Sequence, residues 1–369
     1  MGIILTGGKN NRLKGLTAIR SSSAIPIGGK YRAIDFTLSN MVNSGITNVG
    51  VMTQYCFRSL LDHLGSGKEW DLDRRYDGLF IFPPTFTDEY TDGYRGSADA
   101  MYHNITFLER SNEEYVVVAQ GNCIYNMNFE EMIEQHIEKA ADITIAYREM
   151  NDFMPDELCN MGILELSPSG RITDFFEKPK NPRTKNGSMG IYVLRRDLLI
   201  SLLEESVSQG NYELVKDILI NKVSSLAIYA YKFNGFWRNI STLKLYYRLN
   251  MELLNPVIRN ELFYENGKIY TKVMDEGPAK YNKEAEVRNC IVGDGCIIEG
   301  TIENSLLFRG VIIKRGARIK NSIIMQGSVV EENAEIDFSI LDKNVVLTHG
   351  KKLKGEANWP LIIEKGVVV

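Results

Sequence analysis

Ile312-Ile-Lys-Arg-Gly-Ala-Arg-Ile-Lys-Asn-Ser-Ile-Ile-Met-Gln-Gly-Ser-Val-Val-Glu-Glu-Asn-Ala-Glu-Ile-Asp337 decides how the last quarter of this chain folds. Aliphatic residues recur every six positions: Ile313 and Ile319, then Ile324, Val330 and Ile336. The same step joins Ile291 to Ile297, Val292 to Ile298 and Ile340 to Val346. Turn-forming Gly293, Gly295, Gly300, Gly310, Gly316 and Gly327 fall between them. A six-residue period with one inward aliphatic position is the signature of a parallel β-helix. Three hexads close one triangular coil, and stacked coils share one apolar interior. The register slips near 303–310, where a bulge or loop is expected. An antiparallel sheet of short strands is the competing arrangement.

Upstream the texture is different. Residues 1 to about 250 alternate buried-strand runs with helix-like segments. Met1-Gly-Ile-Ile-Leu-Thr6, Asn48 to Thr53 and Tyr115 to Ala119 read as buried parallel strands. Thr37 to Ser44, Asp99 to Arg110 and Phe129 to Ala140 read as helices, the last with Met132, Ile133, His136 and Ile137 on one face. That alternation implies a mostly parallel sheet covered by helices on both faces. In such sheets ligands bind beyond the carboxyl ends of the strands. The expected organisation is an α/β domain over 1–250, a connection over 251–284 and a β-helix over 285–369.

The bulk numbers exclude several classes. With 369 residues and a net charge of −4, the chain shows no basic stripe for nucleic acid. No apolar run approaches a membrane span of about 18 residues. Cys56, Cys123, Cys159, Cys290 and Cys296 form no C-x-x-C pair, so neither a zinc site nor a redox motif is indicated. Their odd number and the lack of a signal peptide lead to an expectation of reduced thiols in the cytoplasm.

Two blocks carry candidate chemistry. In Thr6-Gly-Gly-Lys-Asn-Asn-Arg-Leu13, a glycine pair after a strand lets backbone N–H groups approach a phosphate. Arg12 adds a charge-assisted contact. A plain structural turn is the alternative. The second block is Ser21-Ser-Ser-Ala-Ile-Pro-Ile-Gly-Gly-Lys-Tyr-Arg-Ala-Ile-Asp35. Together they resemble the opening signature of the glucose-1-phosphate adenylyltransferases, G-G-x-G-x-R-L followed by A-K-P-A-V-P-x-G-G-K-Y-R. Further matches follow in the family's order: Thr53-Gln-Tyr55, Tyr94-Arg-Gly-Ser-Ala-Asp-Ala100, Phe176-Glu-Lys-Pro179, Ser188-Met-Gly-Ile-Tyr192, Lys216-Asp217 and Gly235 to Thr242. The hexads sit where the family carries a left-handed β-helix.

The resemblance implies a nucleotide-diphospho-sugar transferase-like α/β domain. It implies a reaction of ATP with glucose 1-phosphate to give ADP-glucose and pyrophosphate, in which positioning and charge neutralisation dominate. Gly7, Gly8, Arg12, Tyr94, Gly96 and Ser97 would lie around the nucleotide. Glu177, Lys178, Ser188 and Tyr192 would lie around the sugar phosphate. An anionic effector would meet Arg20, Lys30 and Arg32, while Lys351, Lys352 and Lys354 read as solvated surface charges.

Four departures cluster at the chemistry. The family's two magnesium-binding aspartates are Asn122 and Asn239 here, the lysine of its A-K-P is Ser22, and its second loop glycine is Asn10. Magnesium is held through carboxylates and substrate phosphates, and an amide brings no charge. No intact catalytic set and no protein-held metal are expected. The chain resembles the degenerate GlgD-type subunit that modulates a catalytic paralogue in a mixed tetramer. The alternatives are an active enzyme with magnesium recruited through Asp99 or Glu213, and a stand-alone sensor of sugar phosphate or nucleotide.

Overall fold

The computed structural model describes residues 1–7, 10–85 and 93–369. Its first body is a mixed nine-stranded sheet. Gly2–Leu5 is central, parallel to Asn48–Met52 on one side and to Tyr115–Gln120 on the other. Gly78–Phe82 extends the parallel run. Beyond Tyr115–Gln120 the sheet turns antiparallel through the ten-residue strand Asn186–Arg195. Ile143–Glu149 and Gly162–Leu166 pair with that strand, and Ile172–Glu177 pairs with Gly162–Leu166. The parallel half therefore lies at the N-terminal end of the domain. Ile3, Ile4, Val49, Val51, Val117 and Val118 are buried, as both-face coverage by helices demands.

The expected helices form with shifted ends: Ala33–Asn43 and Glu130–Glu138. The stretch after Asp99 splits into Ser97–His103 and Ile105–Glu109 at Asn104. Met132 and His136 are buried, but Ile137 is half exposed, so its place on the inner face is corrected. It lies at the last turn, where the helix runs off the core.

The second body is the left-handed β-helix. Its first strand, Lys280–Tyr281, lies within the stretch read as a connection. Three stacks of five parallel strands make three flat faces. Ile298, Ile313, Val330 and Leu347 stack inside one face, and Ile302, Ile319 and Ile336 inside another. Two of the hexad readings need correction. Ile297 and Val346 point outward, as do Ile291 and Ile340; the inward residues are their neighbours, Ile298 and Leu347, Val292 and Leu341. Where two aliphatics are adjacent, hydrophobicity alone cannot choose which faces inward. Ile340 is nonetheless fully buried, because its face packs against the α/β domain.

No loop opens at 303–310. Leu306–Leu307 continues the ladder from Ile291–Val292 to Ile323–Ile324. The slip is a shortened coil: Ile297 pairs with Ile312, fifteen residues on, whereas Ile312 pairs with Val329, seventeen on. The difference is absorbed at a corner. Asn289, Asn304 and Asn321 take left-handed backbone at one edge, a conformation Asn tolerates. Phe338 occupies the same edge at φ 45° and packs toward the α/β domain, which offsets its strain.

The two bodies share one apolar seam. Leu13, Leu16, Ile25, Phe36, Tyr246 and Leu249 meet Phe308, Ile323, Met325 and Ile340. Arg20, 3% exposed, donates to both oxygens of Asp342 at 2.8 and 3.0 Å across it.

Candidate functional site

The parallel strands end together, and a cleft of about 670 Å³ opens there. Thr6 and Gly7 follow the first strand, Thr53 and Gln54 the second, and Asn122 the third. Gly7 has φ 78°, and a Cβ on it would sit 3.3 Å from the hydroxyl of Ser22. Ser22 is buried beneath the loop, a short neutral group where the resemblance sets a lysine. Gly8 lies outside the described residues.

The helix Ser97–His103 supplies the next wall. Tyr94 donates to the Pro83 carbonyl at 2.9 Å and accepts from Asn104 at 2.9 Å; burial pushes its phenol up. Gly96 is required sterically, since a Cβ would overlap the Tyr212 carbonyl. Ser97 donates to Glu213 at 2.9 Å and accepts from the Leu214 N–H at 2.9 Å. This docks the 212–216 segment, so Glu213 and Lys216 line the cleft.

The opposite wall carries residues that the resemblance assigns to the sugar phosphate. Glu177 ends the strand Ile172–Glu177 and pairs with Lys178 at 2.7 Å. Lys178 has φ 51°, a turn that brings its ammonium back over Glu177. Tyr192 lies in the cleft wall, buried, and burial raises its phenol strongly. Ser188 stands behind it, buried, accepting from the Gly190 N–H at 3.3 Å.

Next to Asn122, Trp237–Asn239 pairs with Cys123–Tyr125, setting Asn239 opposite Cys123; Asn122 lines the cleft and Asn239 does not. The Ile240 N–H donates to the Asn122 carbonyl at 3.0 Å. Two asparagines far apart in sequence are thus neighbours. Asn239 accepts from the Ser241 hydroxyl at 3.2 Å. Among the described residues, no group of three or more His, Cys, Asp or Glu side chains could hold a metal ion.

One expectation about the glycine loop is corrected. Arg12 is exposed and hydrogen-bonds Asn160, outside the cleft. Asn10 accepts from the Arg12 N–H and donates to the Ser241 carbonyl, tying the loop to the segment after Asn239. Gln54, Gln120 and Lys216 line the cleft without having been singled out as site residues. Gln54 and Lys216 did sit in quoted motifs, and the strand-end position of Gln120 was the available signal.

A second cavity, of about 170 Å³, lies between the domains. Lys30 and Arg32 line it with Lys272, Arg309 and Lys343. Arg20 does not, because Asp342 holds it. Lys351, Lys352 and Lys354 are elsewhere, with Lys352 paired to Glu335 at 3.1 Å.

A strand-end cleft walled by a glycine turn and an acid–lysine pair, joined to a hexapeptide β-helix, defines a nucleotidyl transferase. The comparisons agree. Residues 1–256 match the nucleotidyl transferase family, and 276–369 match the GlmU-like C-terminal hexapeptide family. A glucose-1-phosphate adenylyltransferase of Thermotoga neapolitana is 40% identical over 318 residues, spanning 85% of this chain and 74% of the relative. One from Geobacillus stearothermophilus is 38% identical over 318 residues, spanning 85% and 81%. One from Clostridium perfringens is 40% identical over 319 residues, spanning 85% and 80%. The chain belongs to the glucose-1-phosphate adenylyltransferase family.

Proposed function

We propose that this chain is a non-catalytic regulatory subunit of glucose-1-phosphate adenylyltransferase, acting with a catalytic paralogue in a mixed cytoplasmic tetramer during glycogen biosynthesis. One observation carries the reading: Asn122 lines the cleft, Asn239 lies on the segment paired beside it, and neither brings charge. A magnesium ion in this family's chemistry needs carboxylates in its first shell. The donor set here is two amides, and it does not fit that ion.

The substitute acids are already engaged. Asp99 is fully buried and answers Arg95 at 2.7 Å. Glu213 accepts from Ser97. This supports the regulatory reading over an active enzyme with a rearranged metal site. What remains, Glu177, Lys178 and Tyr192 on one wall and Gly7, Gly96 and Ser97 on the other, is a binding surface for nucleotide or sugar phosphate. In this reading the interdomain cavity, with Lys30 and Arg32, receives the anionic effector.

The test is magnesium-dependent ADP-glucose synthesis by the purified chain, alone and mixed with its catalytic paralogue. No product alone, with an altered rate or anion response in the mixture, is the expected result. Turnover alone at a rate like the paralogue's would overturn the proposal.

A further inference from the structure

We infer that the groove between the end of the helix Leu243–Glu252 and one edge of the β-helix binds a neutral oligosaccharide chain. The groove has a volume of about 550 Å³ and shares no lining residue with the cleft or the interdomain cavity.

Its lining separates it from both. Among the described lining residues none is charged. Met251, Leu254 and Pro256 form an apolar wall on the α/β side. Asn289, Asn304 and Asn321 face them from successive coils of the β-helix edge, one coil apart, or about 4.8 Å. The Tyr247 hydroxyl donates to the Asn321 carbonyl at 2.6 Å and fixes the distance between the two walls.

Left-handed backbone at this edge explains why asparagine stands there. It does not explain where the side chains point or what they leave over. Asn289 donates to the side-chain oxygen of Asn304 at 2.8 Å, and Asn321 donates to Asp337 at 3.0 Å. Among the described residues, no hydrogen bond takes up the side-chain oxygen of Asn289, the amide nitrogen of Asn304 or the side-chain oxygen of Asn321. The edge therefore presents acceptor, donor and acceptor in a line along the β-helix axis. At the next level of the same edge stands Phe338, half-exposed. Its ring closes that end of the line with an apolar platform.

The ligand class follows by elimination. A charged ligand finds no counter-charge in this lining. A purely apolar one would strip water from the amides without replacing its hydrogen bonds. A peptide strand needs free backbone groups at an edge. Here the N–H groups of Asn304 and Asn321 are already donated to the Arg288 and Glu303 carbonyls. A sugar chain meets every term. Its hydroxyls both donate and accept, as the amides require, and they repeat along the chain. Its C–H faces pack on the apolar wall and on the Phe338 ring.

Calorimetric titration of the full chain with maltoheptaose and, separately, cellohexaose tests this. Saturable heat with at least one of these uncharged chains is expected, and the tighter binder identifies the linkage geometry. Asn304→Gly removes the central amide, and Phe338→Asn removes the ring. Both new residues tolerate left-handed backbone, so an unchanged melting temperature should accompany each. Each variant should bind the sugar about fivefold more weakly, on the scale of one lost hydrogen bond or stacking contact. Glu177→Gln, in the cleft, should leave sugar affinity as it is. No saturable heat with either chain would overturn the inference. Full affinity in both groove variants would overturn it too, and a loss confined to Glu177→Gln would assign the sugar to the cleft instead.

Discussion

The cleft and the interdomain cavity are both polar hollows, yet their charges are arranged in opposite ways. Among the described residues, the cleft is lined by Arg95, Lys178 and Lys216 with Glu177 and Glu213. Lys178 pairs with Glu177, Arg95 with Asp99, and Glu213 caps Ser97. The cavity gathers five cations around one carboxylate. A site that answers its own charges is stable when empty and makes weak demands on a ligand. A site with surplus charge is costly when empty and gains most from a counter-ion. Among the described residues, the charges of the cleft are largely answered by one another, and those of the seam cavity are not.

The comparison can be broken most forcefully at the cleft. Asn122→Asp combined with Asn239→Asp places one carboxylate opposite Cys123 and one just before it. Magnesium-dependent ADP-glucose synthesis should rise by about 100-fold or more above the wild-type background, on the scale of regaining electrostatic stabilisation. A double variant that stays silent would show that the two amides are not by themselves what disables the site.

At the seam, Arg20→Ala should cost about 3–5 kcal/mol, because it strands the fully buried Asp342 carboxylate. Chemical denaturation of the pure chain measures this. A loss under about 1 kcal/mol would mean that water reaches Asp342.

A smaller effect comes from pH. Lys343 is held below its unfolded value, so between about pH 7 and its ordinary lysine range the unfolded chain binds more protons than the folded one. Stability therefore rises with pH across that window, and it should rise less in Lys343→Met. Parallel melting curves at pH 6.5 and 8.5, without added anion, read the difference.

Smallest is Lys352→Ala. Its exposed pair with Glu335 contributes about 0–1 kcal/mol, and it lies outside the cavity. Sulfate affinity should change less than about twofold. A larger drop would extend the cavity's electrostatic reach to the C-terminal lysines.

Much of this was legible in the sequence. The six-residue period, the strand-ending glycine loop and Glu177-Lys178-Pro179 marked the β-helix, the cleft and one wall of it. The period could not tell Ile297 from Ile298, because adjacent aliphatics satisfy either register. Arg12 was misplaced for a related reason. Residue type announces a phosphate contact, but direction depends on Asn160, a residue on another loop. Arg20 was read as an effector cation, whereas its partner Asp342 lies on the far side of the fold. Lys343 and Arg309 were missed outright. Each is one cation among many in the hexads, and only the docking of the β-helix on the first domain gathers them with Lys30 and Arg32.

The Arg20–Asp342 link also has a temporal meaning. A ribosome makes Arg20 early, and more than three hundred residues must follow before its carboxylate emerges. The nascent α/β domain can pair Gly2–Leu5 with Tyr115–Gln120 long before then. Throughout that interval the guanidinium must stay in water, holding the seam open. Its burial is thus a late event of synthesis, possible only once Asp342 has been made.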